Sequence, residues 1–209
     1  DDARGPISWP RMAWRMVLLL GGLACFSLGI VLTLQSRVGL GPWDVFHQGV
    51  AGRLGLSFGT ASVAVGACIL LLAWALGARP GLATVLNMLL VGGFVDLYLA
   101  LGLVPDLAGR SWALRVPMDI VGVMLVGLGT ALYIKADLGA GPRDGLMLAL
   151  TRRVGGRVSV VRAAIELVVL GIGFLLGGTA GLGTLIFAVG IGPSVGVAFR
   201  LLGVRVAGR

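Results

Sequence analysis

Long apolar stretches alternate with short polar connections along almost the whole chain. Six of these stretches reach the length of about 20 predominantly apolar residues that a bilayer-spanning helix needs. By this hydropathy criterion the stretches are 15–35, 57–77, 83–104, 115–135, 158–178 and 182–200. The pattern predicts an all-α membrane protein with six transmembrane helices embedded in the lipid bilayer.

The same pattern occurs twice, at an offset of 100 residues. The clearest match is Gly-Leu-Gly-Pro-Trp-Asp at 39–44 with Gly-Ala-Gly-Pro-Arg-Asp at 139–144, and no gap is needed, which indicates an internal duplication. We therefore divide the chain into an N-terminal three-helix repeat, 1–104, and a C-terminal three-helix repeat, 105–209, within one integrated bundle. Because three is an odd number of spans, the second repeat is predicted to be inverted relative to the first.

Composition and charge agree with a membrane protein and set its orientation. Hydrophobic residues make up 57% of the chain and charged residues 12%, against about 25% charged residues in soluble domains. Thirteen of the 17 Lys and Arg residues fall on one predicted side, including Arg4, Arg79, Arg205 and Arg209. This bias places both termini in the cytoplasm. The net charge of +8 is thereby explained by topology, so nucleic acid is not an expected partner.

A short segment follows the first helix of each repeat. Pro42 and Pro142 are typical of the first position of a helix, with Asp44 and Asp144 in its first turn. The helices predicted at 42–54 and 142–154 are too short to span, so each is either an interfacial helix or a re-entrant half-helix. The residues of this motif are Gly39, Gly41, Pro42, Gly139, Gly141, Pro142 and Arg143.

Ionisable and amide side chains within the spans are candidates for substrate binding, because such groups are costly in a bilayer. Arg162 and Glu166 are four residues apart and share a helical face, which allows an ion pair that is either a structural clamp or part of a site. The predicted substrate-binding residues are Asp44, Asp144, Asp96, Arg162, Glu166 and Asn87. For the two aspartates of the short helices, the competing interpretation is a plain helix cap.

Nothing in the chain indicates an enzyme, a cofactor or a metal. There is one histidine, His47, which we expect to be a solvated imidazole, and Trp43 is expected to anchor at the membrane interface. Cys25 and Cys68 lie in apolar stretches, far from the spacing of metal ligands. No nucleophile–base pair, Walker loop or HExxH motif is present.

The paired Gly-x-Gly-Pro-x-Asp motifs at 39–44 and 139–144, together with Gly-Leu-Ala-Thr at 81–84 and Gly-Leu-Gly-Thr at 181–184, resemble the YczE branch of the YczE/YyaS/YitT family. The resemblance covers nearly the whole chain. It implies a bacterial six-helix protein of the cytoplasmic (inner) membrane, and it supplies no catalytic or binding residues to carry over.

The leading functional hypothesis is a small secondary transporter or permease for a small solute, with an anionic or zwitterionic substrate favoured by helix N-termini and by Arg162. One alternative is a non-transporting scaffold or accessory protein, docked through Arg143, Arg152, Arg153 and Arg157. Another is a lipid-handling flippase, which a lateral opening lined by polar groups would favour. A second copy of the chain is a further candidate partner, in a homodimer.

Overall fold

The computed structural model describes residues 9–78, 81–139 and 141–204. Arg4, Arg79, Arg205 and Arg209, which contribute to the predicted orientation, lie outside these residues. Within them the chain forms eight α-helices: α1 (Trp9–Ser36), α2 (Pro42–Leu54), α3 (Phe58–Ala75), α4 (Leu82–Ala100), α5 (Trp112–Lys135), α6 (Pro142–Val154), α7 (Val158–Leu175) and α8 (Leu182–Leu201). All but α2 and α6 are long and apolar enough to cross a membrane. The predicted all-α fold with six candidate spans is confirmed.

The two short helices begin and end where the sequence predicts. Pro42 and Pro142 are the first residues of α2 and α6, where the missing proline N–H costs no helical hydrogen bond. Both helices have 13 residues and end at a glycine in the left-handed conformation, Gly55 with φ 65° and Gly155 with φ 68°. At 1.5 Å per residue, each is about 20 Å long, which is less than the roughly 30 Å of a hydrocarbon core.

The central contact of the fold is the crossing of α1 and α5, which are the same helix of the two repeats. A Cβ atom on Gly22 would lie 3.0 Å from the carbonyl oxygen of Gly129, and one on Gly29 would lie 2.7 Å from that of Gly122. These pairs are reciprocal, because 22 matches 122 and 29 matches 129. Glycine is required here since any side chain would meet backbone atoms of the facing helix.

The short helices pack against the opposite repeat. Helix α2 lies on α7 and helix α6 lies on α3, in addition to contacts with the long helix that follows each in sequence. At the α2–α7 contact, a Cβ atom on Gly49 would lie 2.6 Å from the carbonyl oxygen of Gly173. Each repeat therefore supplies part of the wall around the short helix of the other.

One contact of the first repeat has no counterpart in the second. Helix α3 packs along α4, whereas among the described residues α7 and α8 form no comparable interface. In the most apolar 18 residues of α3 and α4, 39% and 28% are buried, against 11% and 17% in α7 and α8. The bundle is thus closed between α3 and α4 and separated between α7 and α8.

Candidate functional site

A cavity of about 600 Å³ lies between the repeats, and the first turns of both short helices line it. Residues 41–44, at the start of α2, and 141–144, at the start of α6, face this space together. The free N–H groups of a helix N-terminus carry a partial positive charge, roughly half an elementary charge in total. The repeated Gly-Pro-Asp motif therefore brings two such ends to one cavity.

At the α2 side of the cavity, Asp44 is almost completely removed from solvent. Its side chain is 7% exposed, and within the described part of the chain its Oδ1 atom has no hydrogen-bond donor. The nearest charged and titratable groups are the Nδ1 atom of His47 at 3.6 Å and a terminal nitrogen of Arg143 at 3.8 Å. A buried carboxylate oxygen without a donor is costly, and the nearby guanidinium of Arg143 reduces that cost electrostatically.

His47 is buried beside Asp44, with 2% of its side chain exposed. The expectation of a solvated imidazole is therefore wrong, because the ring packs edge-on against Phe58 of α3 at 6.0 Å and lies beside Arg143 of α6. Burial lowers the pKa of His47, and the charge of Arg143 acts in the same direction, while Asp44 opposes both. Burial and the neighbouring guanidinium therefore both favour the neutral imidazole.

Arg143 connects the two short helices across the cavity. It belongs to α6, yet its guanidinium lies 3.4 Å from His47 Nδ1 and 3.8 Å from Asp44 Oδ1, both on α2. Its central carbon stands 5.0 Å from the centroid of the Trp43 ring, a cation–π distance. The ring of Trp43, for which the sequence predicts an anchor at the membrane interface, thus lies against the arginine of the opposite repeat.

At the α6 side of the cavity, Asp144 accepts a hydrogen bond from Tyr133 Oη at 3.3 Å. Asn87 of α4 lies beside the start of α6, because a Cβ atom on Gly141 would come within 3.5 Å of its Oδ1 atom. Asn87, Tyr133 and Asp144 all line the cavity. Two of the predicted substrate-binding residues thus meet here.

Arg162 and Glu166 form the predicted i,i+4 ion pair on α7, with Nε and Oε1 2.8 Å apart. Both residues line the cavity, and their side chains are 53% and 30% exposed. This pair marks the separated side of the bundle, where α7 faces α8 without packing against it.

Asp96 occupies a different place from the other predicted site residues. It does not line the cavity; its carboxylate accepts hydrogen bonds from Ser57 Oγ at 2.5 Å and from the Gly59 N–H at 2.8 Å. These donors belong to the start of α3, so Asp96 on α4 caps the neighbouring helix. A charged residue within a span indicates a functional site or a structural partner, and at Asp96 the structure shows hydrogen bonds to the end of a neighbouring helix.

Sequence reasoning assigned no site role to Trp43, His47 or Tyr133, which the structure places on the cavity wall. A signal was available at two of them. Trp43 is replaced by Arg143 and His47 by Met147 in an otherwise matching motif. Such differences between repeats mark positions where the two copies meet different neighbours.

Residues 13–200 match a family described as "Family of unknown function (DUF6198)". An uncharacterized protein of Haemophilus influenzae (strain ATCC 51907 / DSM 11121 / KW20 / Rd) is 38% identical over 188 residues, covering 90% of this chain and 84% of that protein. The "uncharacterized membrane protein YczE" of Bacillus subtilis (strain 168) is 34% identical over 177 residues, with 84% and 80% covered. The "uncharacterized protein YyaS" of the same strain is 29% identical over 167 residues, with 79% and 82% covered. No solved structure matches the chain.

Proposed function

The chain belongs to the DUF6198 family of unknown function and to the YczE branch that its motifs resemble, and we propose that it is a small secondary transporter or permease. In this proposal it moves a small solute across the bacterial cytoplasmic (inner) membrane. The observation that carries the proposal is the meeting of α2 and α6 at one cavity, where Arg143 of one short helix lies 3.8 Å from Asp44 of the other.

The proposed architecture is a pair of inverted repeats with re-entrant half-helices. Each repeat contains three candidate spans, so a chain that crosses at all six must present its repeats in opposite orientations. The contacts of α2 with α7 and of α6 with α3, together with cavity-lining N-termini, support half-helices that enter the bundle from opposite faces. An irregular backbone such as 37–41 is tolerated at membrane depth only where protein or a wet cavity surrounds it.

The charges around the cavity favour a zwitterionic solute over a simple anion. Three carboxylates, those of Asp44, Asp144 and Glu166, face it together with Arg143 and Arg162. Two helix N-termini and the arginines suit an anionic group. The donor-free Oδ1 atom of Asp44 suits an ammonium or another hydrogen-bond donor on the same solute.

Uptake into proteoliposomes tests this function. Purified protein is reconstituted and offered radiolabelled glycine, betaine, glutamate and acetate, each with and without an imposed pH gradient. We expect at least one zwitterion to accumulate or exchange above empty vesicles, and accumulation only with the gradient would identify proton coupling. Absence of movement for all four probes, with protein that remains folded, contradicts the proposal for these substrate classes.

The orientation follows from the positive charge and has its own test. We propose that both termini lie in the cytoplasm, because thirteen of the 17 basic residues fall on that side. Reporter enzymes fused to each end, one active only in the cytoplasm and one only outside it, would report the same side. If the two reporters placed the termini on opposite sides of the membrane, the argument that the two repeats are inverted would no longer hold.

A lipid-handling activity is the second candidate, and one observation favours it. The cavity is lined by α7 and α8, which are separated, and Arg162 and Glu166 stand at that opening. A lateral opening with polar groups is a route for a lipid headgroup. Fluorescent phosphatidylethanolamine and phosphatidylglycerol in the same proteoliposomes, bleached from outside with dithionite, distinguish the candidates. Bleaching beyond half of the label would favour lipid movement.

A further inference from the structure

We infer that α7 and α8 form a gate, and that they can pack against each other as α3 and α4 already do. The hydrogen bonds that Asp96 accepts from Ser57 and Gly59, called the Asp96 clamp below, determine which of the two helix pairs is closed. The inference rests on the proposed transport function and concerns how access to the same cavity alternates. It begins from the difference between two equivalent helix pairs, one packed and one separated.

The packed pair is held by close contacts and a polar clamp. A Cβ atom on Gly92 would lie 2.6 Å from the Gly59 carbonyl oxygen and 2.7 Å from Val63 Cγ2, so α4 lies directly against α3. At the start of α3, Asp96 accepts hydrogen bonds from Ser57 Oγ and the Gly59 N–H. Apolar packing and the clamp together close this side of the cavity.

The separated pair retains a surface that matches this packing. On α8, no atom of the described residues lies within 4 Å of a Cβ position on Gly192, although its counterpart Gly92 is tightly enclosed. Side-chain volume is also compensated between the helices. In the first repeat α3 has Gly66 and α4 has the long Met88, and a Cβ atom on Gly66 would lie 2.7 Å from Met88 Cγ. At the equivalent positions of the second repeat the sizes are exchanged, because α7 has the long Glu166 and α8 has the small Ala188. A helix pair that never meets has no physical need for such compensation.

The polar clamp is absent from the second pair. Gly196 replaces Asp96, and Arg157 replaces Ser57, so neither the acceptor nor the hydroxyl donor is available. Ser159 also replaces Gly59, so a closed α7–α8 interface would be wider by one small side chain. Hydrogen bonds to a charged group contribute more to stability than hydrogen bonds between neutral groups. The clamp therefore biases the protein toward the arrangement observed, with α3–α4 closed and α7–α8 open.

Closure of α7 onto α8 would involve the binding cavity directly. Glu166 occupies the position at which Gly66 meets Met88, so closure would move its carboxylate between the helices at the cavity edge. Burying that charge requires a partner, which Arg162 at 2.8 Å or a bound solute provides. In the predicted orientation α7 begins on the cytoplasmic side, so the arrangement observed is open to the cytoplasm. Asp96 is on this account a positioning residue for the transport cycle.

Disulfide trapping tests the gate without measuring transport. In a chain with Cys25→Ser and Cys68→Ser, the pair Ala163→Cys and Gly192→Cys corresponds to Val63 and Gly92, which touch in the closed pair. Disulfides form when the Cβ atoms can approach about 3.5–4.5 Å. We expect crosslinking under mild oxidation, and none for Ala163→Cys with Ser194→Cys, because Ser194 lies on the opposite face of α8, where its hydroxyl donates to the Met124 carbonyl of α5 at 3.2 Å.

Two further substitutions test the role of the clamp in opposite ways. Asp96→Ala removes the α3–α4 clamp and is expected to accelerate the Ala163→Cys/Gly192→Cys crosslink about tenfold, given the strength of charged hydrogen bonds. Asp96→Asn keeps one acceptor, so its crosslinking rate should lie between the rates with Asp96 and with Asp96→Ala. Arg157→Ser with Gly196→Asp introduces the clamp into the second repeat and should accelerate crosslinking as well. Gly196 has open space around its Cβ position, so the new side chain is tolerated.

The outcomes separate the gate from the transport function. No crosslink in any of these backgrounds overturns the gate, even if solute uptake is observed. A crosslink whose rate does not respond to Asp96→Ala overturns the link between the two helix pairs. Crosslinking that follows the expected order in protein that moves none of the four solutes would leave the gate standing and contradict transport of those solutes. Loss of uptake on crosslinking, restored by dithiothreitol, would support both.

Discussion

Arg143 and Trp43, which occupy the same position of the two repeats, face each other with the guanidinium carbon 5.0 Å from the centroid of the indole ring. Equivalent residues meet only where the two copies of the motif approach each other. Two arginines at this point would repel, and two tryptophans would leave Asp44 without a nearby arginine. The difference between the copies therefore has two effects. It produces a cation–π contact, worth about 0.5–2 kcal/mol, and it places a positive charge near Asp44.

Replacing Arg143 should disrupt the cavity more than replacing other arginines of the same helix. Arg143→Ala leaves the buried Asp44 carboxylate without its nearest cation, and removing one partner of a buried pair is costly. We expect uptake of a transported solute to fall at least tenfold. Arg143→Lys should restore only part of it, because lysine lacks the planar group that stacks on Trp43.

Arg152→Ala is the matched control for this prediction, since Arg152 is an exposed residue of α6 that does not line the cavity. The double variant Asp44→Asn with Arg143→Gln should fold better than Arg143→Ala, because no uncompensated charge remains. Equal uptake by Arg143→Ala and Arg152→Ala would show that Arg143 has no role in binding.

The buried His47 predicts a loss of stability at mildly acidic pH. Its pKa is lowered in the folded protein, by burial first and by Arg143 second, relative to about 6.5 in an unfolded chain. Folding then favours the neutral ring, so the contribution of this residue is complete above pH 6.5 and declines as pH falls below that value. Thermal unfolding of detergent-purified protein between pH 5 and 8 measures the effect.

His47→Met, which introduces the residue of the equivalent position 147, should flatten this part of the pH profile. Asp44 and Arg143 are the charged groups that face the ring, and they remain in that variant. An unchanged slope between pH 5 and 6.5 in His47→Met would assign the acid sensitivity to another group.

The α1–α5 crossing should be intolerant of side chains at its glycines. In Gly29→Leu a Cβ atom would lie 2.7 Å from the Gly122 oxygen and from the Val126 nitrogen, and these backbone atoms cannot rotate away. Overpacking of this kind costs about 1–3 kcal/mol or more. Gly21→Leu on the same helix is the control, because in the part of the chain that the structure describes no atom lies within 4 Å of that Cβ position. A lowered midpoint of thermal unfolding for Gly29→Leu alone is expected, and similar midpoints would contradict the crossing.

The connection between α4 and α5, on the predicted outer side, carries Asp106, whose ion pair with Arg37 should be lost only in strong acid. Arg37 donates to both carboxylate oxygens of Asp106, with Nε at 3.0 Å and a terminal nitrogen at 2.6 Å. The Arg37 hydrogen bond lowers the pKa of Asp106 to about 2. Its stabilisation is present above the unfolded pKa of about 3.9 and is lost as pH falls through about 2. Because both side chains are largely exposed, Asp106→Asn should cost less than about 1 kcal/mol at pH 7. A larger shift in the unfolding midpoint would indicate a further role for this loop.

The positions of the helices could be predicted from the sequence because their signals are local. Apolar length marks the six candidate spans, and Pro42 and Gly55 mark the ends of α2 through backbone geometry that needs no tertiary partner. The offset of 100 residues then predicted the same boundaries in the second repeat, and α6 begins at Pro142.

The partners of the polar side chains could not be predicted in the same way, because they depend on which helices meet. Asp96 and Glu166 look alike in sequence as single acids in apolar stretches. One caps α3 through Gly59, and the other faces the cavity beside Arg162. Only the packing of α3 on α4 and the separation of α7 from α8 distinguish them.

The exchange of short helices has a consequence for how the chain is joined. Because α2 rests on α7 and α6 rests on α3, neither half encloses a complete chamber by itself. The link across 101–111 is then a tether that raises the local concentration of one half near the other, and the surfaces themselves determine how the halves fit. Two separately synthesised fragments, 1–104 and 105–209, should copurify and rebuild one chamber when expressed together, and each should be incomplete when expressed alone.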